Sequence, residues 1–167
     1  MSKAAYNPDK FRELLLYLAE RSESDPKFGE TKLNKLLFYA DFTAYRELGK
    51  PITGARYHKL EWGPAAVPFV PIERELVQEG ALVVRGNLVG SKVQKKPIAL
   101  RGANLSRFSG IEIALVEQLL DELREYGGRQ VSDLSHETPG WQVAAYKEDI
   151  PYETAFVESI ELVGALA

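Results

Sequence analysis

The chain has 167 residues, 45% of them apolar, and a formal net charge of −3. That is enough for one good core and too little for two domains of usual size. With no cysteine, disulfides, thiolate nucleophiles and Cys-ligated zinc are excluded. No apolar run approaches the ~18 residues of a membrane span, and the N-terminus lacks the apolar stretch of a secretory signal, so a cytoplasmic protein is expected.

Asn7 followed by Pro8 predicts a capped first helix, with Phe11, Leu14, Leu15 and Leu18 as its apolar stripe. A second helix is predicted over residues 30–48, stopped by Gly49 with Pro51 beyond. Leu33, Leu36, Leu37, Ala40 and Ala44 form one stripe on it. Lys32, Lys35, Tyr39, Thr43 and Arg46 form another, and Phe38 and Phe42 widen the apolar side, which predicts a central helix with neighbours on more than one flank.

Residues 52–60 read as a strand that runs into the corner Trp62-Gly63-Pro64. Pro64, Pro68 and Pro71 push the third helix to a start near Pro68 or Pro71, and Gly80 ends it. Residues 81–85 and 93–100 read as a hairpin around a loop at 86–90. Ser109 and Glu112 make a capping box for a long helix packed through Val116, Leu119, Leu120 and Leu123 and closed by Gly127-Gly128. A short helix over 131–136 follows, then another from Thr138-Pro139 that carries Trp141, and a frayed helix over the last ten residues. The fold class is α+β: a mainly helical single domain, core about 7–157, with a small antiparallel sheet or hairpin.

Charge is unevenly spread. Residues 81–108 hold Arg85, Lys92, Lys95, Lys96, Arg101 and Arg107 and no acid, whereas 109–125 hold five acids against Arg124. A polarised surface follows, or simply a solvated strand pair beside a solvated helix. His58 and His136 are far apart, and neither sits in a metal-ligand spacing. No nucleophile elbow, phosphate loop or dinucleotide turn is present. No catalytic residue, metal or cofactor is expected, and a helix cap or buried hydrogen bond is the expected role of the histidines.

Three segments in order carry a family resemblance: the helix TKLNKLLFYA with the Trp62-Gly63-Pro64 corner, the long helix after SRFSG, and VSDLSHETPGWQVA. Together they resemble the Panacea domain, the SocA-like antitoxin family of bacteria and phages, marked by a KLxKLLYYA helix, a strand ending in W/Y-G-P and a closing His-x-x-Pro-Trp segment. Two departures stand out: Ala65-Ala66 precede Val67-Pro68, and Gly140 separates Pro139 from Trp141. The resemblance implies an antitoxin that neutralises a cognate toxin, encoded by an adjacent gene, by direct contact or by delivery to a protease or chaperone. It implies a partner-binding surface of Lys32, Lys35, Tyr39, Tyr57, Trp62, His136 and Trp141, with no membrane contact.

The alternative is a winged-helix DNA-binding regulator, because a helix, a glycine break and a basic hairpin occur in the order of recognition helix and wing. Arg85, Lys92, Lys95, Lys96 and Arg101 are its candidate nucleic-acid contacts. The helix PIERELVQEG, with one Arg against three Glu, matches phosphate poorly, so nucleic acid is not the expected partner.

Overall fold

The computed structural model describes residues 5–157. Helix α1 (Pro8–Arg21) begins as its sequence predicts: the Asn7 side chain accepts from the Lys10 N–H, and Pro8 occupies the first turn. Helix α2 (Glu30–Leu48) ends at Gly49, which adopts φ 82°, the left-handed geometry that glycine reaches at little cost. It is the hub of the molecule, touching α1, both sheets and two of the later helices, described below. Leu33, Leu36, Leu37, Ala40 and Ala44 are all fully buried on it, so this stripe is the spine of one hydrophobic core.

The predicted strand over 52–60 is shorter than expected. Only β1 (Tyr57–Leu60) is extended, paired antiparallel with β2 (Gly63–Ala66) in the register Leu60↔Gly63 to Tyr57↔Ala66. Residues 52–56 are instead a loop, buried except at Arg56 and held by a side chain. Asp41, fully buried, accepts from the Thr53 N–H at 2.6 Å and from Thr53 Oγ1 at 2.5 Å, while Gly54 turns at φ 73°. The carboxylate supplies what a neighbouring strand would otherwise supply. Burial pushes its pKa up against those hydrogen bonds. The Tyr57 hydroxyl closes the network, 2.6 Å from Asp41 Oδ2 and 2.9 Å from the Leu37 carbonyl.

Helix α3 (Phe69–Gln78) starts between the two expected prolines. The hairpin is longer than predicted: β3 (Leu82–Val89) and β4 (Lys92–Ala99) pair almost to the tip. The connection is Gly90-Ser91, with Gly90 at φ 64°, the positive φ that the first position of a tight hairpin turn requires. Gly86, expected in a loop, is therefore a strand residue facing Lys95.

Helix α4 (Gly110–Glu122) carries the predicted capping box, with Ser109 Oγ accepting from the Glu112 N–H and the Glu112 carboxylate accepting from the Ser109 N–H. It stops before Gly127-Gly128. That pair opens α5 (Gly128–Ser135) instead, where a Cβ on Gly128 would stand 3.3 Å from Thr31 Cβ on α2. Helix α6 (Pro139–Val143) and a 3-10 turn (Tyr152–Phe156) complete the described chain. The frayed helix expected over the last ten residues lies outside the described residues.

Candidate partner-binding surface

The two signature motifs meet through Lys35 and Gly63. A Cβ built on Gly63 would stand 2.6 Å from Lys35 Cε and 2.4 Å from Ser135 Oγ, and Gly63 has φ 111°. Glycine is thus demanded twice, by backbone conformation and by space. The corner also binds α5 directly: Ser132 Oγ donates to the Trp62 carbonyl, and Ser135 Oγ donates to the Ser132 carbonyl at 2.6 Å.

Burial divides the second stripe of α2. Lys32 and Lys35 are each only 3% exposed, Tyr39 and Thr43 are half-buried, and Arg46 is exposed. The Lys32 ammonium pairs with Asp25 at 2.8 Å. Lys35 has no ion-pair partner among the described residues, and burial alone depresses its pKa to about 8. The Tyr39 hydroxyl is buried without a hydrogen-bond partner among the described residues, and burial pushes its pKa up. Tyr57 is 1% exposed and belongs to the Asp41 network. In this fold Lys32, Lys35 and Tyr57 offer almost no surface to a partner: Lys32 is paired with Asp25, Lys35 packs against Gly63, and Tyr57 ties β1 to α2.

Of the remaining three expected residues, His136 and Trp141 are in contact, and the turn that carries Trp62 is bonded to both of their helices. Trp62 is 66% exposed at the β1–β2 turn. Trp141, half-buried, donates its indole N–H to the Leu60 carbonyl at 3.1 Å, which fastens α6 to the same turn. His136 caps the C-terminal end of α5, and its ring stacks on Trp141 with centroids 4.1 Å apart and planes 20° apart. Its Nε2 is buried with no partner among the described residues. Lys59 Nζ lies over the Trp141 ring at 4.1 Å, a cation–π contact.

Sequence reading missed the neighbours of this cluster. Lys147 donates its N–H to the Lys59 carbonyl and Lys59 donates to the Glu148 carbonyl, so residues 147–150 run beside β1. Lys147 is the one non-glycine residue with positive φ among the described residues, at 68°, a conformation that costs free energy and is held here by those bonds. Tyr146 and Val143, 62% and 63% exposed, flank it. Val143, Tyr146 and Lys147 thus lead into the stretch that pairs with β1, the strand whose turn carries Trp62. Nothing local in the sequence marks these residues, because their proximity depends on a long-range bridge between His58 and Asp149.

Gly140, the departure within the closing motif, has a steric cause. A Cβ there would stand 2.4 Å from Thr154 Oγ1 and 2.6 Å from Ile150 Cγ2. Behind it a groove of about 280 Å³ opens between α2, α6 and the 3-10 turn, lined by Tyr39, Phe42, Arg46, Glu137 and Thr154 among others.

The alternative nucleic-acid set is split. Lys96 Nζ donates to the carbonyls of Glu23 and Asp25, sealing the turn after α1. Arg101 forms a bidentate pair with Glu13, at 2.9 and 3.0 Å. Both are occupied in holding the fold. Arg85, Lys92 and Lys95 are exposed, but Arg85 and Lys92 lie on one face of the hairpin and Lys95 on the other, as the cross-strand register dictates.

Among the described residues no three His, Asp or Glu side chains gather as a metal-binding group, and no helix is long and apolar enough to cross a membrane. No curated protein and no solved structure matches the chain. The family comparison does match: the antitoxin SocA-like Panacea domain aligns with residues 33–142, from the Lys-rich helix through the corner to Trp141, and the chain belongs to that family.

Proposed function

We propose that this protein is the antitoxin of a toxin–antitoxin system and neutralises a cognate toxin protein by direct binding. The observation that supports the reading is the fastening of two signature segments to each other, with Ser132 bonded to the Trp62 carbonyl and Trp141 to the Leu60 carbonyl, while the Trp62 side chain is left 66% exposed. Large aromatics with polar edges, set on a rigid corner and rimmed by cations, have the composition of a protein-binding hot spot. Lys35, Tyr57 and Gly63 act beneath it, holding the β1–β2 turn on α2 and α5. Delivery of the bound toxin to a protease or chaperone is compatible with the same surface and adds nothing to the recognition chemistry.

The test is co-expression with the products of adjacent genes. The cognate toxin should be the one whose growth arrest is relieved, and it should co-purify in a stoichiometric complex that buries roughly 1,200–2,000 Å². Failure of rescue with every adjacent product would remove the antitoxin reading.

A further inference from the structure

The β3–β4 hairpin carries exposed side chains that the corner does not use. Its base is packed: Ala81, Leu82 and Pro97 are buried, and β4 lies against α1 and beside Gly29, where a Cβ would meet Gln94 at 2.8 Å. Nearer the tip Asn87, Leu88, Lys92, Val93 and Lys95 are exposed. Leu88 and Val93 face each other directly across the strands, 79% and 67% exposed, so they form an apolar pair on one face. On the opposite face the register aligns Arg85 and Lys92 with Lys96. Arg85, Lys92 and Lys95 make no ion pair among the described residues. Among the described residues the sheet has two strands, so with β4 against α1 the outer edge of β3 has no strand beside it.

An edge strand with exposed apolar and cationic side chains on alternate faces is a template for one kind of addition. We propose that the distal β3 edge binds an extended acidic–apolar protein segment as a third strand. Its apolar side chains extend the Leu88–Val93 face, and its carboxylates lie beside Arg85 and Lys92. This rests on the protein-binding reading and gives the partner a second contact whose chemistry is stated.

Duplex DNA fits the same hairpin less well. Phosphates gain nothing from Leu88 and Val93, two of the five cations are occupied by Glu13 and by backbone carbonyls, and the adjacent α3 carries Glu73 and Glu75 with Glu79 just beyond its end. Backbone addition to a free edge uses both the apolar pair and the free cations.

The test titrates three probes into the full chain, followed by amide NMR shifts: a blocked peptide of alternating Glu and Val, its Lys–Val counterpart, and a mixed-sequence duplex. The Glu–Val peptide should shift residues 83–95 and bind at least about tenfold tighter than the Lys–Val peptide, since charge complementarity decides between otherwise equal strands. Leu88→Ser with Val93→Ser, and separately Arg85→Glu with Lys92→Glu, should each abolish those shifts while leaving the melting temperature unchanged. Absence of Glu–Val binding, equal binding of both peptides, or tighter binding of the duplex would overturn the proposal. Because no toxin is used, peptide binding without growth rescue rejects only the antitoxin reading, and rescue without peptide binding rejects only this one.

Discussion

Lys35 and Gly63 are packed so closely that the space for a single β-carbon is missing between them, at 2.6 Å from Lys35 Cε. The contact joins two segments that are 28 residues apart in sequence, and through Ser135 it includes α5 as well. It explains why a lysine, a glycine and a tryptophan belong to one pattern: the first two fix the position from which the third is displayed.

Gly63→Ala should therefore destabilise the fold by about 1–3 kcal/mol, from positive φ and from the collision with Lys35 and Ser135. Chemical denaturation measures it. Gly49→Ala, at φ 82° but with no neighbour within 4 Å of its Cβ, should cost less. Equal losses at the two sites would mean that the close approach carries no weight.

Lys35 titrates in the folded protein at about 8, below the 10.5 of the free side chain. Below about 8 both folded and unfolded states hold the proton, and the folded state does so at a cost. Between about 8 and 10.5 the unfolded state binds more protons, so stability rises with pH through that window. Lys35→Met removes the buried charge and should exceed the wild type at pH 7 by up to about 3 kcal/mol. The gap should close as pH climbs through the window. A gap that is constant with pH would place Lys35 in contact with solvent.

The Arg101 guanidinium beside Glu13 holds that carboxylate below its ordinary 4.5, helped by the Asn104 N–H and opposed by burial. The sign is the reverse of the lysine case: the pair's stabilisation is present above pH 4.5 and is lost as pH falls through the lowered value. Glu13→Gln should be less stable than the wild type at neutral pH, and the two should converge in acid melts. Arg101→Ala should lower the melting temperature and leave duplex retention at low salt unchanged, whereas an Arg101 that served nucleic acid would show the opposite pattern.

Trp62 and Trp141 separate surface from scaffold. Trp62→Phe should leave melting unchanged. Trp141→Phe loses the indole N–H bond to Leu60 and weakens the His136 stack, so it should lower melting by several degrees, the order expected for ~1 kcal/mol in a domain of this size.

Helices were legible in the sequence where capping chemistry and an apolar stripe agreed, as at Asn7-Pro8, Ser109–Glu112 and Gly49. The strand expected at 52–60 was half-legible, because alternation there is mimicked by a loop whose backbone partner is Asp41, a carboxylate inside an apolar stripe. Asp41 was not singled out in the sequence, because its role depends on a loop that only tertiary packing brings to it. The segments that the motifs singled out do supply the contact of His136 with Trp141 and the bond of Trp141 to the β1–β2 turn. Lys32 and Lys35 sit on a stripe that polarity alone assigns to solvent, and only tertiary packing buries it. Lys59, Tyr146 and Lys147 had no local signal, because a nonlocal bridge brings them together.

The central claim is that the exposed corner, and not the lysines beneath it, holds the toxin. Isothermal titration of the cognate toxin against the wild type, Trp62→Ala and Lys59→Glu tests it most directly. Trp62→Ala should weaken binding by about 2 kcal/mol or more while melting as the wild type does, and Lys59→Glu should weaken it further or abolish it with a melting loss no larger than its cation–π contact with Trp141 accounts for. Undiminished affinity in both variants, or growth rescue with no measurable complex, would contradict the account.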